Sequence, residues 1–461
     1  MKTQSADVIV IGSGPGGESA AMHLAKSGRR VRMVERNDQV GGACTHSGTI
    51  PSKALRFSIW QLTEALRHPL LRSCGVSVDF TMEDLTRRTR SIVNRQQGLH
   101  RRFLERNQIE VTHGHARLVD DRTVMVDGEL GLQAEAIILA TGSRPWRPDQ
   151  VDFTHPRIFD SDSIVKLGFK PRSLTIYGAG VVGCEYATMF RHLDIKVDLV
   201  NSRARLLDFL DDEISNALDY HMRENGIIIR HNEVFRQIDG RDDDVQLQLK
   251  SGKQISNDIL LWAAGRTGNS DQLGLQSVGL EADSRGYLSV DSRFQTGVAG
   301  IYAVGDLIGF PSLASAAYTQ GRIAAAHILG EASRQPPGEI PSGIYTSPEI
   351  SSIGRTERQL TDQCVPYEVG VARFRNLARA QITGQTVGML KLLFHRETLE
   401  IVGIHCFGAN ASEIVHIGQA VMERPAGGNS LNYFLQTTFN YPTMAEAYRV
   451  AALNGFNRLR G

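Results

Sequence analysis

Cysteine is scarce in this 461-residue sequence: Cys44, Cys74, Cys184, Cys364 and Cys406 are scattered, and no two of them form a C-x-x-C pair. That usage excludes a disulfide scaffold and suits a reducing compartment. An excess of one charge is missing too, since 51 Lys and Arg stand against 50 Asp and Glu, for a formal net charge of +1. No surface field is expected to recruit nucleic acid or an anionic membrane, which leaves small molecules as partners. Nowhere do about 18 apolar residues run together, so no membrane-crossing helix is predicted. Residues 1–6 are mostly polar and lead into an apolar run without the charged and then apolar pattern of a secretory leader. A cytoplasmic protein is the expectation, and no metal is expected.

What the sequence does have is length and repetition. A single core stops growing near about 250–300 residues, so 461 residues suggest roughly three domains. Residues 7–36 and 173–203 read alike: apolar run, glycine-rich turn, helical pattern, second apolar run. In the first, Val8-Ile9-Val10-Ile11 predicts a buried strand, residues 17–27 a helix and residues 31–34 a second strand. In the second, Leu174-Thr175-Ile176-Tyr177 leads through Gly178 into a helix ending near Leu193, followed by a strand over residues 197–200. Each reads as one βαβ unit of a parallel sheet. Two later runs, Ala136-Ile137-Ile138-Leu139-Ala140-Thr141-Gly142 and Ile259-Leu260-Leu261-Trp262-Ala263-Ala264-Gly265, supply last strands for the two sheets. Residues 333–342, with Gln335-Pro336-Pro337-Gly338, read as a linker before a C-terminal portion of mixed strands and helices.

The turn Gly12-Ser13-Gly14-Pro15-Gly16-Gly17 fits G-x-G-x-x-G, and Glu35 ends the strand that follows. In this pattern the first glycine makes the tight turn, the second lets backbone approach a pyrophosphate, and the third lets the helix pack closely. The pyrophosphate meets a helix N-terminus, and the acid bonds ribose hydroxyls. Gly178-Ala179-Gly180-Val181-Val182-Gly183 repeats the pattern, but its second strand ends in Asn201. A carboxylate there would bond the ribose of NAD and repel the 2′-phosphate of NADP, whereas Asn201 accepts either coenzyme. Arg203 and Arg205 follow closely enough to pair with a phosphate, unless they are simply solvated loop charges. Two such turns mean two dinucleotides, FAD at the first and NAD or NADP at the second. The run Ile301-Tyr302-Ala303-Val304-Gly305-Asp306 ends in a Gly-Asp pair, placing Asp306 to bond the ribityl hydroxyls of a flavin.

With these pieces in order, the chain resembles the pyridine nucleotide-disulfide oxidoreductase family, which includes glutathione reductase and lipoamide dehydrogenase, over essentially its whole length. The family's redox segment, G-G-x-C-x-x-x-x-C-I-P-S-K, corresponds here to Gly41-Gly42-Ala43-Cys44-Thr45-His46-Ser47-Gly48-Thr49-Ile50-Pro51-Ser52-Lys53. The first cysteine is kept as Cys44, but the second position holds Thr49. The family's C-terminal segment, which opens H-P-T and carries a glutamate, corresponds to residues 441–446, so Tyr441 takes the histidine position while Glu446 remains. A threonine cannot form a mixed disulfide. Nor does a tyrosine with an ordinary pKa near 10 shuttle protons to a thiol as histidine does. Disulfide chemistry is therefore expected to be lost, while the nicotinamide half-reaction keeps Lys53 and Glu185, which match the family's pair beside the flavin N5.

The resemblance implies an α/β fold with two Rossmann-like dinucleotide-binding domains and a C-terminal α+β interface domain. The expected boundaries are 1–148 with 270–341 for FAD, 149–269 for NAD(P), and 342–461 for the interface. Arg36, Gly42, Thr141, Gly142 and Gly305 complete the residues expected around FAD, and Gly265 and Arg266 those around the second coenzyme. With no thiol outlet, hydride taken from one nicotinamide is given to another, so NADPH and NAD are the expected substrates of an FAD enzyme in a single-site, alternating mechanism. The stretches 439–449 and 394–398 also resemble members of the family that do this. A homodimer is implied, or a larger homo-oligomer. Three other readings stay open: a dithiol reductase of the dihydrolipoamide dehydrogenase kind, an NAD(P)H oxidase using Cys44 as a sulfenic acid centre, and a non-catalytic flavoprotein. Cys44 itself is either such a centre or a small residue packed near the flavin ring.

Overall fold

A computed structural model describes residues 2–331, 338–425 and 427–460. Of the expected linker, residues 333–337 lie outside the described residues. By compactness the chain divides into two units, Met1–Asp149 with Phe159–Lys170 and Gly265–Gly338, and Gln150–Ile158 with Pro171–Ala264 and Glu339–Gly461.

In the first unit five strands run parallel in the order Ile301–Ala303, Ala136–Leu139, Val8–Ile11, Val31–Glu35, Glu110–His113. The sheet is covered on both faces, which is why Ile301–Ala303, Ala136–Leu139 and Val8–Ile11 are unbroken apolar runs rather than alternating ones, while Glu110–His113 at its edge is largely polar. Val8, Val10 and Ile138 pack into one core; Ile9, Ile11 and Ile137 pack into the other. The helix Pro15–Lys26 begins earlier than residue 17, where the pattern placed it, because proline suits the first turn of a helix, where its missing N–H costs nothing. Two long helices, Thr49–Arg67 and Met82–Arg106, follow the first βαβ unit. The second is opened by a reciprocal cap between Thr81 and Asp84.

The second unit repeats the theme. Ile259–Trp262, Ser173–Tyr177, Lys196–Val200 and Ile228–Arg230 are parallel neighbours in that order. Its helix Val181–Arg191 stops short of Leu193. The C-terminal part of this unit is a five-stranded antiparallel sheet, Ser342–Ile344, Ile350–Gly354, Ile401–Gly408, Gly388–His395 and Tyr367–Arg373 in spatial order. The helices Ala411–Met422 and Glu446–Arg460 share a core with it through Val415, Ala447, Tyr448 and Ala451. The mixed α/β architecture expected from the sequence is the one observed.

Candidate functional site

The two glycine turns are near copies in three dimensions. Gly12 has φ +105° and Gly178 φ +107°, a left-handed region that a side chain at either place would strain. The Gly12 amide donates to Val34 O at 2.8 Å, and the Gly178 amide to Val200 O at 2.9 Å, which hooks each turn over the strand end beside it. A Cβ on Gly17 would lie 2.0 Å from Gly12 O, and one on Gly183 would lie 1.8 Å from Gly178 O. These glycines let the helix start against its own turn. At the middle positions the situation reverses: a Cβ on Gly14 would meet nothing nearer than Gly42 Cα at 4.0 Å, and one on Gly180 nothing within 4 Å. Open space beside a helix N-terminus is what an incoming pyrophosphate needs, so both turns fit a dinucleotide.

Their surroundings differ. Buried Glu35 is tied to the first turn, its Oε2 accepting from Ser13 N at 3.0 Å and Ser13 Oγ at 2.6 Å, and its Oε1 from Asn37 N at 2.9 Å. Arg36, next in sequence, is exposed. In the second motif Asn201 is equally buried, but its carboxamide turns to the loop that follows. Nδ2 donates to Arg205 O at 2.8 Å, and Oδ1 accepts from Arg203 N at 3.2 Å. The second turn carries Ala179 where the first has Ser13, so it offers no side-chain hydrogen bond to its strand end. Arg203 and Arg205 are exposed at the loop surface, and each pairs with an aspartate.

Around the first turn the unit gathers several expected residues. Ser143 Oγ donates to Asp306 Oδ2 at 2.9 Å and accepts from Arg266 Nε at 2.8 Å, so Arg266, expected near the second coenzyme, belongs to the first unit and braces Asp306 through Ser143. Gly265 lies in the same unit, with φ +115°. Thr141 and Gly142 are clasped by Asn269, whose Nδ2 donates to Thr141 O at 2.9 Å and whose amide donates to Gly142 O at 3.0 Å. The Gly305 amide donates to Gln320 Oε1 at 2.8 Å. Ser13, Ser143, Asn269 and Gln320 had escaped sequence reasoning. They are ordinary polar residues whose partners lie 15 to 163 positions away, and only Ser13 carried a signal, its place inside the glycine motif.

Cys44 sits half-buried in the short helix Gly42–His46, and Thr49 opens the helix Thr49–Arg67 that carries Lys53. Burial pushes the Cys44 thiol above its ordinary value, against the opposing pull of a Thr49 hydrogen bond and the Lys53 charge. A neutral thiol at physiological pH is a poor nucleophile. Cys184 and Cys406 are wholly buried, and burial raises both thiols much further. In the second unit, buried Glu185 on the helix Val181–Arg191 accepts from Tyr345 N at 2.8 Å. Tyr441 is exposed on the C-terminal segment, and Glu446 opens the last helix with its Oε2 buried and without a hydrogen-bond partner among the described residues. Among the described residues no group of three or more His, Cys, Asp or Glu side chains is placed to hold a metal ion. None of their helices is long and apolar enough to cross a membrane.

Two parallel sheets, each feeding a glycine turn into a helix with open space at its N-terminus, define a protein built to hold two dinucleotides. The chain belongs to the pyridine nucleotide-disulphide oxidoreductase family: residues 6–321 match the family, and residues 340–452 match its dimerisation domain. Family membership implies binding of FAD and of NAD(P). The chain is 57% identical over 458 residues to the soluble pyridine nucleotide transhydrogenase of Shigella boydii and 58% identical over 458 residues to that of Serratia proteamaculans, covering 98% of both chains in each case. Among solved structures it resembles the HOCl-induced flavoprotein disulfide reductase RclA from Escherichia coli, with TM-score 0.88 and 26% identity over 97% of this chain and 99% of that one. LpdA from Mycobacterium tuberculosis is similar, with TM-score 0.89 and 26% identity over the same shares.

Proposed function

We propose that this chain moves hydride between NADPH and NAD, in either direction, with FAD at the first glycine turn and the two nicotinamide coenzymes using the second turn in succession. The observation that carries this reading is at Cys44. The thiol's neighbour is the Thr49 hydroxyl, and burial keeps it protonated, so electrons have no disulfide to reach. The relatives at 57–58% identity bear the matching name.

FAD, when bound, supplies a two-electron store between one coenzyme and the next. Gly14 gives its pyrophosphate room, the Glu35–Ser13 clasp fixes the strand end for the ribose, and Asp306, braced by Ser143 and Arg266, takes the ribityl hydroxyls. Arg36, Gly42, Thr141, Gly142 and Gly305 line the rest of that site. Lys53 supplies positive charge for the flavin ring, and Glu185 acts from the helix of the second turn, its carboxylate held by Tyr345 N. Gly178, Gly180 and Gly183 shape the second turn, and Arg203 and Arg205 take the 2′-phosphate. Cys44 and Thr49 pack by the ring, and Tyr441 and Glu446 belong to a tail that reaches the partner's flavin in a homodimer. The domain division keeps 1–148 for FAD and 342–461 for the interface, with the expected 149–269 and 270–341 boundary moved to residue 265, where the chain joins the first unit, and the protein works in the cytoplasm. Because one nicotinamide site serves both coenzymes, steady-state double-reciprocal plots at fixed NADPH concentrations are expected to be parallel. Intersecting lines would demand a ternary complex and a second nicotinamide site.

A further inference from the structure

The loop after Asn201 holds its two arginines already paired. Arg203 Nη1 lies 2.6 Å from Asp208 Oδ1, and Arg205 Nη1 lies 2.9 Å from Asp212 Oδ1. All four side chains are between 42% and 67% exposed, so the pairs can open without uncovering a core. The frame beneath them is fixed. Asp211 caps the helix Asp212–Glu224 by accepting from Glu213 N, and the same carboxylate accepts from the wholly buried Lys391 Nζ at 2.7 Å. Lys391 also pairs with Glu357, so the helix that begins at Asp212 is held in place by a buried charge cluster. Asp212 has a second cation, because Arg358 pairs with the same Oδ1.

We propose that Asp208 and Asp212 set the coenzyme preference: they occupy Arg203 and Arg205, so that the 2′-phosphate of NADPH must displace two carboxylates while NADH displaces none. This rests on the reading that the two arginines recognise the 2′-phosphate. Exposed ion pairs are weak, so each aspartate lowers affinity for the 2′-phosphate only about 1.5- to 5-fold. That small penalty suits a site that must bind NADPH and release NADP in every cycle. Its reversal is also easy: when Arg205 turns to the phosphate, Asp212 keeps Arg358 and Asp208 returns to water, so neither carboxylate is stranded. Because the buried Lys391–Asp211 pair holds the helix end, the exchange is one of side-chain rotamers.

Two features separate this from a diffuse effect of negative charge. Arg358 competes with Arg205 for Asp212, so removing Arg358 must strengthen the hold on Arg205 and weaken 2′-phosphate binding. And Asp208 acts through Arg203, so its effect must vanish once Arg203 is gone. The test is calorimetric titration of the FAD-loaded enzyme with adenosine 2′,5′-bisphosphate, with AMP as the control lacking the 2′-phosphate. Asp208→Asn and Asp212→Asn are each expected to bind the bisphosphate about 1.5- to 5-fold more tightly, with AMP unchanged. Arg358→Gln is expected to bind it more weakly, and Asp208→Asn added to Arg203→Gln to change nothing. Tightening that persists without Arg203, or tightening in Arg358→Gln, would overturn the proposal in favour of a general field. If Arg203→Gln and Arg205→Gln alone leave bisphosphate affinity untouched, the arginine reading itself fails, and the proposal fails with it by a separate result.

Discussion

The two glycine turns share a backbone and differ in what fastens them. In the first, Glu35 reaches back to Ser13 and stitches the strand end to the turn, whereas in the second, Asn201 faces forward and stitches its own loop, leaving the turn at Ala179 without a side-chain tie. Both turns are hooked to their strand ends by a backbone hydrogen bond, but only the first adds a side-chain clasp. A clasped site is organised for a group that stays, and an open one for groups that come and go. That contrast fits the proposed arrangement, with FAD kept at the first turn and nicotinamides exchanged at the second.

Breaking each side in the same way gives the largest expected effect. A Cβ added at Gly14 or at Gly180 meets no atom closer than 4.0 Å, so a side chain there enters the space kept for a pyrophosphate rather than the packed fold. Gly14→Val is expected to lose its FAD altogether, as read from the visible absorbance of purified protein. Gly180→Val is expected to keep FAD and to raise KM for NADH and NADPH together. Full flavin in the first variant would remove FAD from the first turn, and flavin loss in the second would erase the division of labour.

Next in size is Arg203→Gln with Arg205→Gln. A charge-assisted pair contributes about 1.5 to 3 kcal/mol, so the KM for NADPH should rise about 10- to 150-fold relative to that for NADH. Equal changes for both coenzymes would mark the arginines as ordinary surface charge. Asn201→Asp sharpens the contrast more gently. The new carboxylate keeps the acceptor for Arg203 N, loses the donor to Arg205 O, and places a charge where the 2′-phosphate arrives, so the NADPH-to-NADH preference is expected to fall about fivefold, or about 1 kcal/mol. An unchanged or rising preference would show that the strand end does not select between coenzymes.

These predictions draw on two kinds of knowledge. The turns themselves were legible in the sequence, because Gly12, Gly17, Gly178 and Gly183 are demanded by local backbone geometry and no other residue would fit. The run of apolar residues likewise announced strands covered on both faces. What the sequence hid is long-range pairing. Asn269 clasps Thr141 across 128 positions and Lys391 reaches Asp211 across 180, and nothing local marks either residue. Arg266, expected among the residues around the second coenzyme, lies in the first unit, where its Nε donates to Ser143 Oγ beside Asp306. The backbone itself brings them together, because Arg266–Gly268 pairs antiparallel with Ser143–Pro145 across more than 120 positions, which local sequence does not reveal.

The smallest expected effect is at Cys44. Its thiol is held above the ordinary value, so the thiolate is scarce at neutral pH and grows only as pH rises past that raised value. Alkylation of Cys44 should therefore be slow near pH 7 and accelerate in alkaline solution, and Cys44→Ser should retain most hydride transfer. A loss beyond about 100-fold, about 2.7 kcal/mol of barrier, would bring sulfur into the path.

The central claim is that one open site serves two coenzymes in turn while the clasped site keeps its cofactor. Anaerobic stopped-flow mixing tests it most directly: NADPH alone is added to the FAD-loaded enzyme, the NADP formed is removed, and NAD is then added. The account predicts that NADPH bleaches the flavin absorbance without NAD present, and that NAD then restores it with NADH appearing in equal amount. Flavin that stays oxidised until both coenzymes are present would contradict it.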